Sequence, residues 1–210
     1  MTELPRPAWL GWVPYRAAHA LQLARREAVQ RGEAPEAAWM VEHPPVITTG
    51  RRAVADLAGV GCDIVATERG GLATYHGPGQ LVGYLILDVA GRGGSVRGTV
   101  FAIEAGVIAW LHAQGVGAAR RPGFPGVWVG RDKICALGLH FSRGVSMHGF
   151  ALNLDPDLSM YERFMPCGVR DGGVTSFGAL QANAPTPGEA ALDVADRVLA
   201  AFVDTLRPRD

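Results

Sequence analysis

Apolar residues recur with two different periods along this chain. Over residues 15–31, Ala18, Leu21, Leu23, Ala24 and Val29 mark one side of a predicted helix, with Arg25 and Arg26 outside and Gly32 as the stop. Val100, Ile103, Val107, Ile108 and Leu111 repeat that spacing and end near Gly115. A last helix is predicted over 189–206, where Ala190, Val194, Val198, Phe202 and Leu206 form one stripe. Between the helices the runs are short. Residues 39–43 and 46–49 read as strands broken by Pro44-Pro45. Residues 82–89 are nearly all apolar, as in a strand buried on both faces. Residues 127–129, 133–141 and 145–154 predict three more strands, turned at 130–132 and 142–144. Pro5 and Pro7 suggest a loose lead-in. Helices at both ends around several strands imply an α/β (α+β) fold, a sheet with helices packed on it.

Composition narrows the classes. The 210 residues suit one domain over 1–210, long enough to bury a core without staples. Lys plus Arg balances Asp plus Glu, so the basic excess of a nucleic-acid binder is absent. The pairs Arg51-Arg52 and Arg120-Arg121 read as loop charge. No apolar run approaches the roughly 20 residues that span a bilayer, and no signal-peptide pattern opens the chain, so a cytoplasmic location without membrane contact is expected. Cys62, Cys135 and Cys167 are too scattered for a disulfide framework and are expected to be thiols. The six histidines make no His-x-x-x-His pair and there is no Cys-x-x-Cys, so neither a metal nor another cofactor is expected.

A thiol is the first candidate for chemistry. Cys167 stands between Pro166 and Gly168, where a rigid turn can turn backbone N–H groups toward a substrate. Lys133 is the only lysine among nineteen arginines. Lysine can give up a proton in a protein and arginine cannot, so a proton shuttle here has to be Lys133. Strand alternation places Lys133 and Cys135 on one face, which leaves Cys135 a rival nucleophile to Cys167. His76 and His148 each precede a glycine, a placement that suits site lining. The stretch RGGLATYHGPGQLVGY (69–84) lacks the Gly-x-x-x-x-Gly-Lys pattern, and a strand rather than a helix follows it. A nucleotide cradle is therefore a poor reading.

That stretch, with EHPPVITTGR (42–51), PGVWVGRDKICALGLHF (125–141), MHGFALNL (147–154), PCG (166–168) and TSF (175–177), strongly resembles the lipoyl(octanoyl) transferases. The resemblance covers residues 40–178 by motif. It implies a mixed sheet like the catalytic domains of biotin and lipoate protein ligases. It implies octanoyl (or lipoyl) transfer from acyl carrier protein to a lysine of lipoyl domains. Those domains belong to 2-oxoacid dehydrogenase complexes and the glycine cleavage H protein. The family's acyl-thioester cysteine maps to Cys167 and its partner lysine to Lys133, which makes Cys135 the bystander. The substrate-lining segments map to Arg69, Gly70, Gly71, Leu72, Ala73, Thr74, Tyr75 and His76, to Ala136, Leu137 and Gly138, and to Gly149, Phe150 and Ala151. Gly70 and Gly71 would let an acyl chain lie against backbone. An ATP-dependent lipoate or biotin ligase on the same fold is the nearest rival, and it would need a cation-rich adenylate site.

Overall fold

The computed structural model describes residues 3–52, 57, 61–162 and 172–206. In chain order the elements are β1 (Pro7–Trp12), α1 (Tyr15–Gln30), β2 (Ala37–Glu42), β3 (Val46–Thr49), β4 (Asp63–Ala66), β5 (Ala73–His76) and β6 (Gln80–Ile86). Then follow α2 (Val96–Ala113), β7 (Ala119–Arg121), β8 (Phe124–Val129), β9 (Asp132–Ser142) and β10 (Val145–Asn153). A 3-10 turn (Leu158–Glu162), α3 (Phe177–Leu180) and α4 (Pro187–Leu206) complete the order. The expected mixed α/β architecture is present. Seven strands form one sheet in the order β1-β2-β6-β10-β9-β8-β7, and β4-β3-β5 form a second, smaller one. The β1–β2 and β3–β4 pairs are parallel and the other pairs antiparallel.

The large sheet is covered on both faces, so its central strands carry no polar alternation. All seven residues of β6 are buried. Leu81 and Leu85 join Phe150 and Leu152 in a core shared with α2 and α4. Val82, Tyr84, Ile86 and Ala151 face the other way, toward Ala18 of α1. By length and composition α2 is apolar enough to cross a bilayer. Here its Ala102, Ile103, Val107, Trp110 and Leu111 are core residues instead. Ser95 caps it, its hydroxyl accepting from the Gly98 N–H.

Two expectations change. The lead-in around Pro7 is a parallel strand rather than a loose segment. Pro7 starts it and β1 lies at the sheet edge, where a missing N–H is tolerated. The Gly-rich stretch after Arg69 holds a strand, β5, which pairs with β3 and forms part of the small sheet.

Candidate active site

A cavity of about 560 Å³ lies between the two sheets. Its floor is set by strand register. Tyr84, Gly149 and Gly138 stand side by side across β6, β10 and β9, and Val82, Ala151 and Ala136 make the next row. Directly paired residues project to the same face. Ala136 and Ala151 leave a trough where larger side chains would fill the space, while Gly138 makes room for Arg69, whose Cδ would lie 3.0 Å from a β-carbon there. The opposite wall is Arg69 to Thr74 with His76. The Gly70 N–H donates to the Leu139 carbonyl at 2.9 Å, which ties this wall to β9. Arg69 is buried and donates to the carbonyl and hydroxyl of Thr48 at 2.6 and 2.9 Å, and to the Gly70 carbonyl at 3.0 Å. Its guanidinium thereby fixes the turn. Exposed Arg52, Val96 and Phe124 mark the mouth, and buried Tyr15, His76, Tyr84 and His148 the closed end.

Lys133 lines the cavity near its mouth and is only 9% exposed. Its Nζ donates to the Pro125 carbonyl at 3.1 Å and lies 4.7 Å from the Trp128 ring centre. Simple alternation would have put Cys135 beside it. A β-bulge intervenes: Val127 faces Cys135, while the next residue, Trp128, already faces Lys133. The extra residue sends both Ile134 and Cys135 into the core and turns Lys133 to the cavity. Cys135 is fully buried and burial pushes its thiol pKa up, which suppresses the thiolate. Gly126 makes room for the lysine. Its φ is +133°, and a β-carbon there would lie 3.1 Å from Lys133 Cε and 2.7 Å from the Cys135 carbonyl oxygen. Buried Glu104 on α2 holds this turn, accepting from the Gly126 N–H at 2.9 Å and from Arg120 Nε at 3.0 Å.

Cys167 lies outside the described residues. The described chain resumes at Gly172, beside Lys133. The Lys133 N–H donates to the Gly173 carbonyl and the Thr175 N–H to the Lys133 carbonyl, both at 3.0 Å.

At the closed end, polar side chains turn their polar atoms away from the cavity. The Tyr84 hydroxyl donates to His43 Nε2 at 2.7 Å, and His43 Nδ1 donates to the Val13 carbonyl. His76 Nδ1 donates to Gln80 Oε1 at 2.7 Å, and its Nε2 accepts from the Thr48 hydroxyl at 3.3 Å. Burial pushes His43 down to about 4 and His76 to about 3, so both are neutral at pH 7. Gln80 Nε2 in turn donates to Asn153 Oδ1 and the Tyr161 hydroxyl, and Asn153 Nδ2 to the Thr175 carbonyl. His148 is different. Its Nε2 is buried with no hydrogen-bond partner among the described residues, 3.7 Å from Glu68 Oε1. His19, on a helix face with no assigned role in the sequence, stacks on it at 5.7 Å and meets Glu68 at 3.1 Å.

A profile described as the lipoyl protein ligase A/B catalytic domain matches residues 14–203. An octanoyltransferase of Sphingopyxis alaskensis is 43% identical over all of both chains. One of Novosphingobium aromaticivorans is 46% identical over 80% of this chain and 78% of its own. The chain belongs to the octanoyltransferase family. It is accordingly an acyltransferase. Among solved structures, a lipoate-protein ligase A bound with ATP superposes with a TM-score of 0.68 at 18% identity, covering 97% of this chain and 86% of that one. A biotin protein ligase from Aquifex aeolicus gives 0.57 at 10%, covering 97% and 71%. These likenesses show the fold.

In this octanoyltransferase-family chain, the structure brings to one cavity Lys133, Arg69, Gly70, Gly71, Leu72, Ala73, Thr74, His76, Ala136, Leu137, Gly138, His148, Gly149, Phe150 and Ala151. Tyr75 is not among the lining residues. Along β5 it alternates away from Thr74 and His76, and its ring packs edge-on against Tyr161 at 6.0 Å. Sequence reasoning missed Tyr15, Val82 and Tyr84. Val82 and Tyr84 were readable as core strand, but only pairing with β10 shows which face meets the cavity.

Proposed function

We propose that this chain, working as one catalytic unit over 1–210, moves an octanoyl or lipoyl group from acyl carrier protein to a lysine of a lipoyl domain. The acyl group passes through a thioester on Cys167. The observation that carries this reading is the placement of Lys133, at the mouth of a cavity floored by glycine and alanine, against Gly173 and Thr175. Four residues separate Cys167 from Gly172 in sequence, and the next residue, Gly173, pairs with the Lys133 backbone.

Lys133 assists loss of the Cys167 proton, and the thiolate attacks the acyl thioester carbonyl. The bond to the carrier sulfur breaks, and Lys133 returns the proton to that sulfur. The acceptor lysine then attacks the acyl-Cys167 carbonyl as a neutral amine. An amide bond forms, the Cys167 sulfur leaves, and Lys133 carries the amine proton to it. Thioester exchange is nearly balanced and amide formation is downhill, so the proposed cycle uses no ATP. Burying roughly six methylenes contributes about 5 kcal/mol toward holding the chain. A related archaeal lipoate protein ligase from Thermoplasma acidophilum was solved as part of a system with its E2 lipoyl domain. That supports a lipoyl domain as the acceptor here; the proposed acceptors are the lipoyl domains of 2-oxoacid dehydrogenase complexes and the glycine cleavage H protein.

Incubation with octanoyl carrier protein alone, followed by intact mass measurement, tests the scheme. Wild type and Cys135→Ala gain one octanoyl group and Cys167→Ala gains none. An adduct that persists in Cys167→Ala refutes the assignment. A strict requirement for ATP would favour ligase chemistry.

A further inference from the structure

Three side chains from distant parts of the sequence converge beside the closed end of the cavity, which only His148 of the three lines. His19 comes from α1, Glu68 from the turn ahead of Arg69, and His148 from β10. Taking one ligand-type atom from each, all three lie within 4.8 Å of one another. His19 Nε2 is 3.1 Å from Glu68 Oε2, and His148 Nε2 is 3.7 Å from Glu68 Oε1. We propose that His19, Glu68 and His148 bind a divalent metal ion of the zinc class, in a site that includes neither Lys133 nor Cys167 and shares only His148 with the cavity lining.

The geometry is close to what such an ion takes. With bonds of about 2.0–2.1 Å in a tetrahedron, neighbouring ligand atoms stand ~3.3 Å apart. Two imidazoles and one carboxylate, with water in the fourth position, is an established zinc ligand set. Half-buried His19, on the outer helix, supplies the small adjustment needed.

The second observation is His148 itself. Its side chain is 3% exposed and its Nε2 has no hydrogen-bond partner among the described residues, an arrangement that costs stability unless something binds there. Its backbone is held at φ +61°, unfavourable for a residue with a side chain, while its N–H donates to Gln22 Oε1 at 2.9 Å. The ring is thus pinned with an unused nitrogen facing a carboxylate. Two cations oppose an ion. Arg26 Nη1 lies 3.9 Å from Glu68 and must swing aside, and it already reaches Met147 Sδ at 3.6 Å. Arg69 adds positive charge, but it is held by Thr48.

The test uses untagged full-length protein carrying Cys167→Ser, so that this thiol cannot ligate. It is stripped with chelator and titrated with cobalt(II) chloride, following visible d–d absorption, then back-titrated with zinc chloride. The proposal expects one saturable equivalent with tetrahedral absorption, displaced by zinc. His19→Gln, Glu68→Gln and His148→Gln should each weaken binding at least tenfold, and the remote His112→Gln should not. If His148→Gln fails to fold by circular dichroism, His19→Gln decides, because its side chain is half-buried on an outer helix. No saturable equivalent in wild type, or unchanged binding in His19→Gln, overturns the site. So does binding lost in His140→Gln but kept in His148→Gln. None of these readings depends on acyl transfer.

Discussion

At Gly126 a β-carbon would press on the Cys135 carbonyl and on Lys133 Cε, and the backbone sits at a positive φ that L residues avoid. Gly126→Ala is expected to displace Lys133 and destabilise the fold by about 1–2 kcal/mol. Its signature is a fall in kcat larger than the stability loss explains, seen by comparing turnover at a temperature where both proteins are folded. Lys133→Arg retains charge and removes the titrating proton. It should cut transfer by about a hundredfold or more. Near-normal turnover in that variant would end the proton-shuttle role. Lys133 stood out in the sequence because no other lysine exists. The bulge beside it did not, because a register slip arises between strands and has no residue signature in a single strand.

The cavity is a property of three strands in register. Ala136 and Ala151 are ordinary small residues until β9, β10 and β6 align them with Val82. Ala151→Leu should fill part of the trough while the strand remains paired, at an overpacking cost of about 1–3 kcal/mol. Octanoyl transfer should fall about tenfold relative to butanoyl transfer, measured with both carrier-bound acyl groups in competition. Equal loss for both chains would place Ala151 away from the acyl tail. The helices were legible because long stripes at a 3.6-residue period survive any context, and α1, α2 and α4 start and end within a few residues of the predicted bounds. β1, β4 and β5 were not. They are four to six residues long, and their strand state comes from a neighbour's hydrogen bonds.

For the whole molecule, buried neutral histidines make stability depend on pH. His43 and His76 have folded pKa values of about 4 and 3, against about 6.5 in an unfolded chain. The unfolded state therefore binds more protons between those values. Stability should be full above about pH 6.5 and fall as the pH drops toward 4, by a few kcal/mol in total. Urea midpoints at pH 7.5 and 4.5 check this. His43→Gln should flatten the dependence, and an unchanged slope would show that His43 already titrates normally.

The sequence by itself determined the helices, the central strands, the lone lysine and the family, because each is written in local period, composition or contiguous motif. Tertiary structure decided the rest. Register made small residues into a cavity floor, and a bulge separated Lys133 from Cys135. Chain crossing brought His19, Glu68 and His148 together although they lie 49 and 80 residues apart in sequence. No spacing rule covers such a set, since its proximity comes from how α1, the Glu68 turn and β10 pack, and packing is fixed by contacts across the whole chain.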